Sequence, residues 1–127
     1  MMEKYLLLFI GAGLGGVIRY YISFTMYNIK TLPMGTLIVN VSGCFIIGII
    51  YALSKEINVF DSSWFRYLVV IGFLGGYTTF STFSIETFTL FAANFNFMGM
   101  INILLNLTLS LMSTSIGYKI TSLLFKI

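Results

Sequence analysis

Residues 65–95 form an apolar run whose only charged members are Arg66 and Glu86. A helix crosses the hydrocarbon core of a bilayer in ~20 residues, so this run is too long for one straight span. Inside it lies GFLGGYTTFSTFSIET, residues 72–87. Gly75 and Gly76 followed by the β-branched Thr78 and Thr79 make a poor helix interior. The pattern predicts a third membrane helix broken near 75–79 into two half-helices. Irregular backbone at membrane depth persists only where protein or a water-filled cavity satisfies its polar groups. The stretch therefore reads as a functional site and not as a spacer.

The remainder of the chain supports a membrane setting. Of 127 residues, 58% are hydrophobic and 9% charged, against roughly 25% charged in a soluble domain. The spacing predicts an all-α protein with four spans, at 5–27, 34–53, 65–95 and 98–125, forming one domain. The N-terminal run, with Lys4 ahead of it, outlasts the ~7–15 apolar residues of a signal peptide and reads as a retained helix. The few basic residues lie near span ends, which excludes a nucleic-acid surface. There is no histidine, and the single cysteine, Cys44, sits in an apolar run. Zinc, haem and an intrachain disulfide are therefore not expected. The absence of a nucleophile–base pair argues against an enzyme.

Several small and polar residues stand out along the spans. Gly11, Gly13, Gly15 and Gly16 in the first span allow close helix approach. Arg19 in the same span either snorkels to the headgroups or forms an interior cation beside an aqueous vestibule. In the second span Asn40 is an amide in hydrocarbon that needs partners, either as interhelix glue or as the wall of an ion path. Asn102, Asn106, Ser110, Ser113 and Thr114 form a polar stripe on the fourth span. That stripe serves helix–helix hydrogen bonding or an aqueous lining. Trp64, Arg66 and Tyr67 read as an interface anchor. Lys4, Lys55, Arg66 and Lys126 fall on one side of a four-span protein and Lys30 on the other, a modest lean toward cytoplasmic termini.

The chemistry of the third run suits a small anion. Phe80 and Phe83 share a helix face, and aromatic ring edges are electropositive. Thr79, Ser81 and Thr82 supply hydroxyl donors, and Asn40, Asn106 and Ser110 add more. Glu86 is the single acid embedded there, against Arg19; a cation path more naturally carries rings of carboxylates or carbonyls. Carbonyls around Gly75 and Thr78 are free to hold a structural cation if the helix unwinds. The small internal volume of such a bundle favours oligomerisation.

GLGGVIRY, GTLIVNVSGCFIIG and GFLGGYTTFSTFSIE, in that order on the first three spans, resemble the Fluc family of fluoride channels, also called CrcB. GGYTTFSTF is the most specific of these strings. The resemblance implies an antiparallel, dual-topology homodimer in a cell (inner or plasma) membrane, with two fluoride pores built from both subunits. It implies that Phe80 and Phe83 turn ring edges to fluoride, with Asn40 beside them. Ser81, Thr82 and Glu86 would form a polar track, with Ser110 and Asn106 near it. Arg19 would serve a vestibule. Gly75 and Thr78 carbonyls from both subunits would hold a structural sodium ion (Na+) on the two-fold axis. Function would be passive fluoride export, conferring fluoride resistance. The alternative is a small multidrug-type proton-coupled exporter, which needs a membrane acid in the first span, where Arg19 stands instead.

Overall fold

A computed structural model describes residues 2–26 and 32–126. Lys30, Asn28 and Tyr27, expected in the first loop and at the end of the first span, lie outside the described residues. Four helical stretches are long and apolar enough to cross a membrane: Met2–Thr25, Met34–Leu53, Ser63–Ala92 and Asn96–Phe125. Among the described residues every regular element is helical.

Helix α1 (Met2–Thr25) and helix α2 (Met34–Leu53) are followed by short turns, α3 (Asn58–Asp61) and α4 (Ser63–Phe65). From Arg66 to Leu74 the chain winds as a π-helix, a form rarely longer than a single-turn bulge and frequent at functional sites. The short α5 (Gly75–Tyr77) continues it, and α6 (Phe80–Ala92) begins after two non-helical residues. At the turn into α7 (Asn96–Phe125), Asn94 adopts a left-handed φ of 63°, which asparagine tolerates better than most residues.

Two helix pairs carry most of the packing: α2 against α7, and α1 against the π-helix and α5. Glycine makes each approach close. On α1, a Cβ at Gly11 would meet the Leu68 carbonyl and one at Gly15 the Phe73 carbonyl. Gly13 and Gly16 face open space instead. Between α2 and α7 the arrangement is reciprocal: Gly48 faces the Thr114 carbonyl and Gly117 the Phe45 carbonyl. Small residues at membrane depth let backbones touch in this way, where no hydrophobic force drives helices together.

Lys55, just past α2, donates to the Tyr118 hydroxyl at 2.8 Å. Its ammonium lies 5.3 Å from the Tyr51 ring centroid and 4.8 Å from that of Tyr118. This cation–π cluster ties the end of α2 to α7 at one rim of the bundle.

Candidate functional site

The site is built where α5 stops. Gly75 and Gly76 themselves stay helical, with Gly75 at φ −64° and ψ −34°. The residues that leave helical geometry are Thr78 (φ −85°, ψ 158°) and Thr79 (φ −153°, ψ 119°). Both are β-branched, and extended dihedrals are the ones such side chains tolerate best. The Gly76 position serves packing: a Cβ there would strike the Ala12 backbone of α1.

Two extended residues in a membrane bundle need hydrogen-bond partners, and α2 provides them. Asn40 Oδ1 accepts from the Thr79 N–H at 2.9 Å, and Asn40 Nδ2 donates to the Thr79 carbonyl at 3.2 Å. One amide thus replaces the helical bond lost at the Thr79 N–H and adds a second bond at its carbonyl. A turn further along α2, Gly43 clears space for the Thr78 methyl. Thr79 then caps α6, its Oγ1 accepting from the Thr82 N–H at 3.1 Å, as N-cap threonines do.

This arrangement frees carbonyls at the break, those of Gly75 and Thr78 among them. In a continuous helix the Gly75 carbonyl would accept from Thr79 N–H and the Thr78 carbonyl from Thr82 N–H. Both donors are diverted, the first to Asn40 and the second to Thr79 Oγ1. The Gly76 carbonyl is occupied by Arg19 Nε at 3.0 Å. Gly75 lies on the exposed face of the subunit with nothing within 4 Å of a built Cβ. Neutral carbonyl oxygens are suitable ligands for hard cations. Among the described residues no three His, Cys, Asp or Glu side chains gather to hold a metal ion.

Polar side chains continue from this point. Thr79 Oγ1 lies 3.0 Å from Thr82 Oγ1 and 3.2 Å from Ser81 Oγ. Arg19 Nη1 reaches Thr82 Oγ1 at 3.4 Å. The guanidinium therefore rests on a carbonyl and a hydroxyl and not on a carboxylate. Glu86 accepts from the Thr36 hydroxyl at 2.8 Å, while its Oε2 and the Ser110 hydroxyl are buried without partners. Phe83 is buried at 6% exposure and Phe80 is 72% exposed. Their rings meet edge to face, centroids 5.3 Å apart and planes at 63°.

The structure thus joins Asn40, Asn106, Ser81, Thr82 and Arg19 to the Thr78–Thr79 step through hydrogen bonds, Ser81 and Thr82 by way of Thr79. It sets Phe80 and Phe83 against each other. Glu86 is linked to α2 by Thr36, and Ser110 has no side-chain bond to the others. The site also takes in Asn102, which the sequence marks only as part of the fourth-span polar stripe, and Thr87 and Thr36, which it does not mark as site members. Asn102 donates to Thr87 Oγ1 at 2.9 Å and accepts from Asn106 at 3.0 Å. The four-residue spacings Thr36–Asn40 and Asn102–Asn106, each placing two polar groups on one helix face, were the available signal.

The fold and site define a multi-pass membrane protein with a polar, hydrogen-bonded centre and an aromatic pair at its edge. Residues 6–118 match the family described as "CrcB-like protein, Camphor Resistance (CrcB)". A Coxiella burnetii protein named "Fluoride-specific ion channel FluC" is 45% identical over 117 residues, 91% of this chain and 94% of its own. A Serratia proteamaculans protein of the same name is 40% identical over 121 residues, 94% of each chain. One from Azobacteroides pseudotrichonymphae is 36% identical, covering 95% of this chain and 98% of its own. The chain belongs to the CrcB family.

Proposed function

We propose that this chain is the subunit of a fluoride-selective channel and not an enzyme, and that it lets fluoride leave the cell passively. The observation that carries the reading is the Phe80–Phe83 pair beside the Ser81 and Thr82 hydroxyls, in a chain 45% identical to a protein named a fluoride-specific ion channel. Fluoride holds its water tightly, so a dry path must substitute donors and electropositive ring edges. The hydroxyls and the ring edges are suited to that exchange. Phe80, Phe83, Ser81, Thr82, Glu86 and Ser110 would face the ion, with Asn40 and Asn106 in the adjoining wall and Arg19 at the vestibule. Hydrogen fluoride entering from acid surroundings dissociates inside, and the negative interior then drives the anion out through the channel.

We further propose an antiparallel homodimer in the cell (inner or plasma) membrane, with two pores. The exposure of Phe80, Ser81 and Gly75 on the isolated subunit supports a second subunit over that face. Paired Gly75 and Thr78 carbonyls from the two copies would then hold a sodium ion, whose contribution is to neutralise converging carbonyl dipoles. No observation favours the exporter alternative. The deciding experiment is fluoride efflux from liposomes carrying the purified protein, read with a fluoride-selective electrode. Efflux equal to that of protein-free vesicles overturns the proposal.

A further inference from the structure

Three asparagines on two helices form a hydrogen-bond chain that leaves the third span at Thr79 and rejoins it at Thr87, one turn past Phe83. Thr79 N–H donates to Asn40 Oδ1 at 2.9 Å, and Asn40 Nδ2 to Asn106 Oδ1 at 3.0 Å. Asn106 Nδ2 donates to Asn102 Oδ1 at 3.0 Å, and Asn102 Nδ2 to Thr87 Oγ1 at 2.9 Å. The Thr87 hydroxyl ends the chain on the Phe83 carbonyl at 2.7 Å.

Every link runs the same way, and main-chain groups dictate the direction. Thr79 N–H can only donate and the Phe83 carbonyl can only accept. The second hydrogens of Asn40 and Asn106 go to the Thr79 carbonyl (3.2 Å) and the Asn102 carbonyl (3.1 Å). A flipped amide at either position would set an NH₂ hydrogen against another donor or an oxygen against a carbonyl. Both hydrogens of each amide are used, so neither Asn40 nor Asn106 keeps a donor for a passing ion. Asn102 and Asn106 are buried, at 0% and 4% exposure, where linked hydrogen bonds reinforce one another.

We infer that Asn102 and Asn106 are positioning residues. They press Asn40 onto Thr79 and, through Thr87, hold the turn that carries Phe83. The span thereby has its extended pair and its buried ring spaced by a clasp running through α2 and α7. The consequence for ion selectivity rests on the channel reading above; the clasp itself does not.

Two measurements test it. In the ¹⁵N-labelled wild-type protein in micelles, the side-chain NH₂ groups of Asn40 and Asn106 exchange with solvent at least about tenfold more slowly than that of exposed Asn96. Asn102→Leu shifts the Asn40 side-chain resonances, although no hydrogen bond joins those two residues. In liposomes, Asn106→Leu lowers fluoride-over-chloride selectivity per folded channel by about tenfold or more, the scale of leaving a buried donor unpaired. Ser113→Ala, which removes a different α7–α2 bond, to the Val41 carbonyl at 2.9 Å, leaves selectivity unchanged. The inference is overturned by an Asn40 amide that exchanges as fast as Asn96, or by wild-type selectivity in Asn106→Leu. If the leucine variants do not fold, the wild-type exchange rates decide. If the wild type passes no fluoride, the channel reading fails while the exchange rates still judge the clasp.

Discussion

Thr36 on α2 gives its hydroxyl hydrogen to Glu86 on α6 at 2.8 Å, and the other oxygen of that carboxyl is buried without a partner. Thr36 is itself 1% exposed. The single acid of the third span therefore depends on one donor from another helix. Thr36→Val keeps the shape and removes the donor, leaving both carboxyl oxygens unsatisfied. The expected loss is about 1–3 kcal/mol of stability, with Thr36→Ser close to wild type. Thermal unfolding in detergent measures both, and equal midpoints for the valine and serine variants contradict the dependence.

The two phenylalanines should separate stability from conduction. Phe83 is buried and Phe80 is largely exposed on the subunit. Phe80→Ile should leave the folded yield unchanged and still cut fluoride flux. Phe83→Ile should cut flux as well, and Phe83→Ala should in addition destabilise by about 3–5 kcal/mol through the cavity it leaves. Electrode-monitored efflux, normalised to folded protein, checks the conduction arm. Unchanged flux in Phe80→Ile counts against ring-edge contact with the ion.

The glycines divide by what they face. Gly48→Ala and Gly117→Ala each drive a methyl into the backbone of the facing helix, which should cost about 1–3 kcal/mol or more. Gly13→Ala meets nothing in the subunit, so its fold should be retained. A Gly13→Ala protein that folds but fails to dimerise would place that face at the subunit contact. Size-exclusion chromatography with unfolding curves gives both readings.

Exchange of sodium for a large organic cation should weaken the assembly. The Gly75 and Thr78 carbonyls have lost their helical donors to Asn40 and Thr79, and a cation on them would offset that loss. Dimer stability should fall as sodium is removed and return when it is restored. A dimer equally stable and active without sodium contradicts a structural ion.

Orientation is open to labelling. In a Cys44→Ser background, a cysteine placed in the 54–62 loop should react from both sides of the membrane if subunits insert in both directions. Reaction from one side only rules out the antiparallel pair.

The four spans were legible because long apolar runs leave few alternatives in a 127-residue chain. The need of Asn40 for partners was legible for the same reason: a buried amide in hydrocarbon cannot stay unpaired. The glycine pair misleads on its own. Composition marks Gly75 and Gly76 as the weak point, but Gly75–Tyr77 stays helical and the threonines after it are extended. Propensity registers that glycine is a poor helix former; it does not register that Ala12 requires Gly76 for contact. The π-helical winding of Arg66–Leu74 leaves no sequence mark, since apolar residues cover every face there. The direction of the asparagine chain was likewise hidden. Spacing puts Asn102 and Asn106 on one face, but which atom donates is settled by the main-chain groups they meet.

The wide winding between Arg66 and Leu74 makes the chain sensitive to its own length. A helix advances about 100° per residue. Inserting one codon within that segment, whose winding is already wide, would swivel Phe80, Ser81 and Phe83 by roughly a quarter-turn against α2. Frame-preserving insertions should thus be far rarer here than in the 54–62 loop, and a mutational scan of single insertions would trace that intolerance residue by residue.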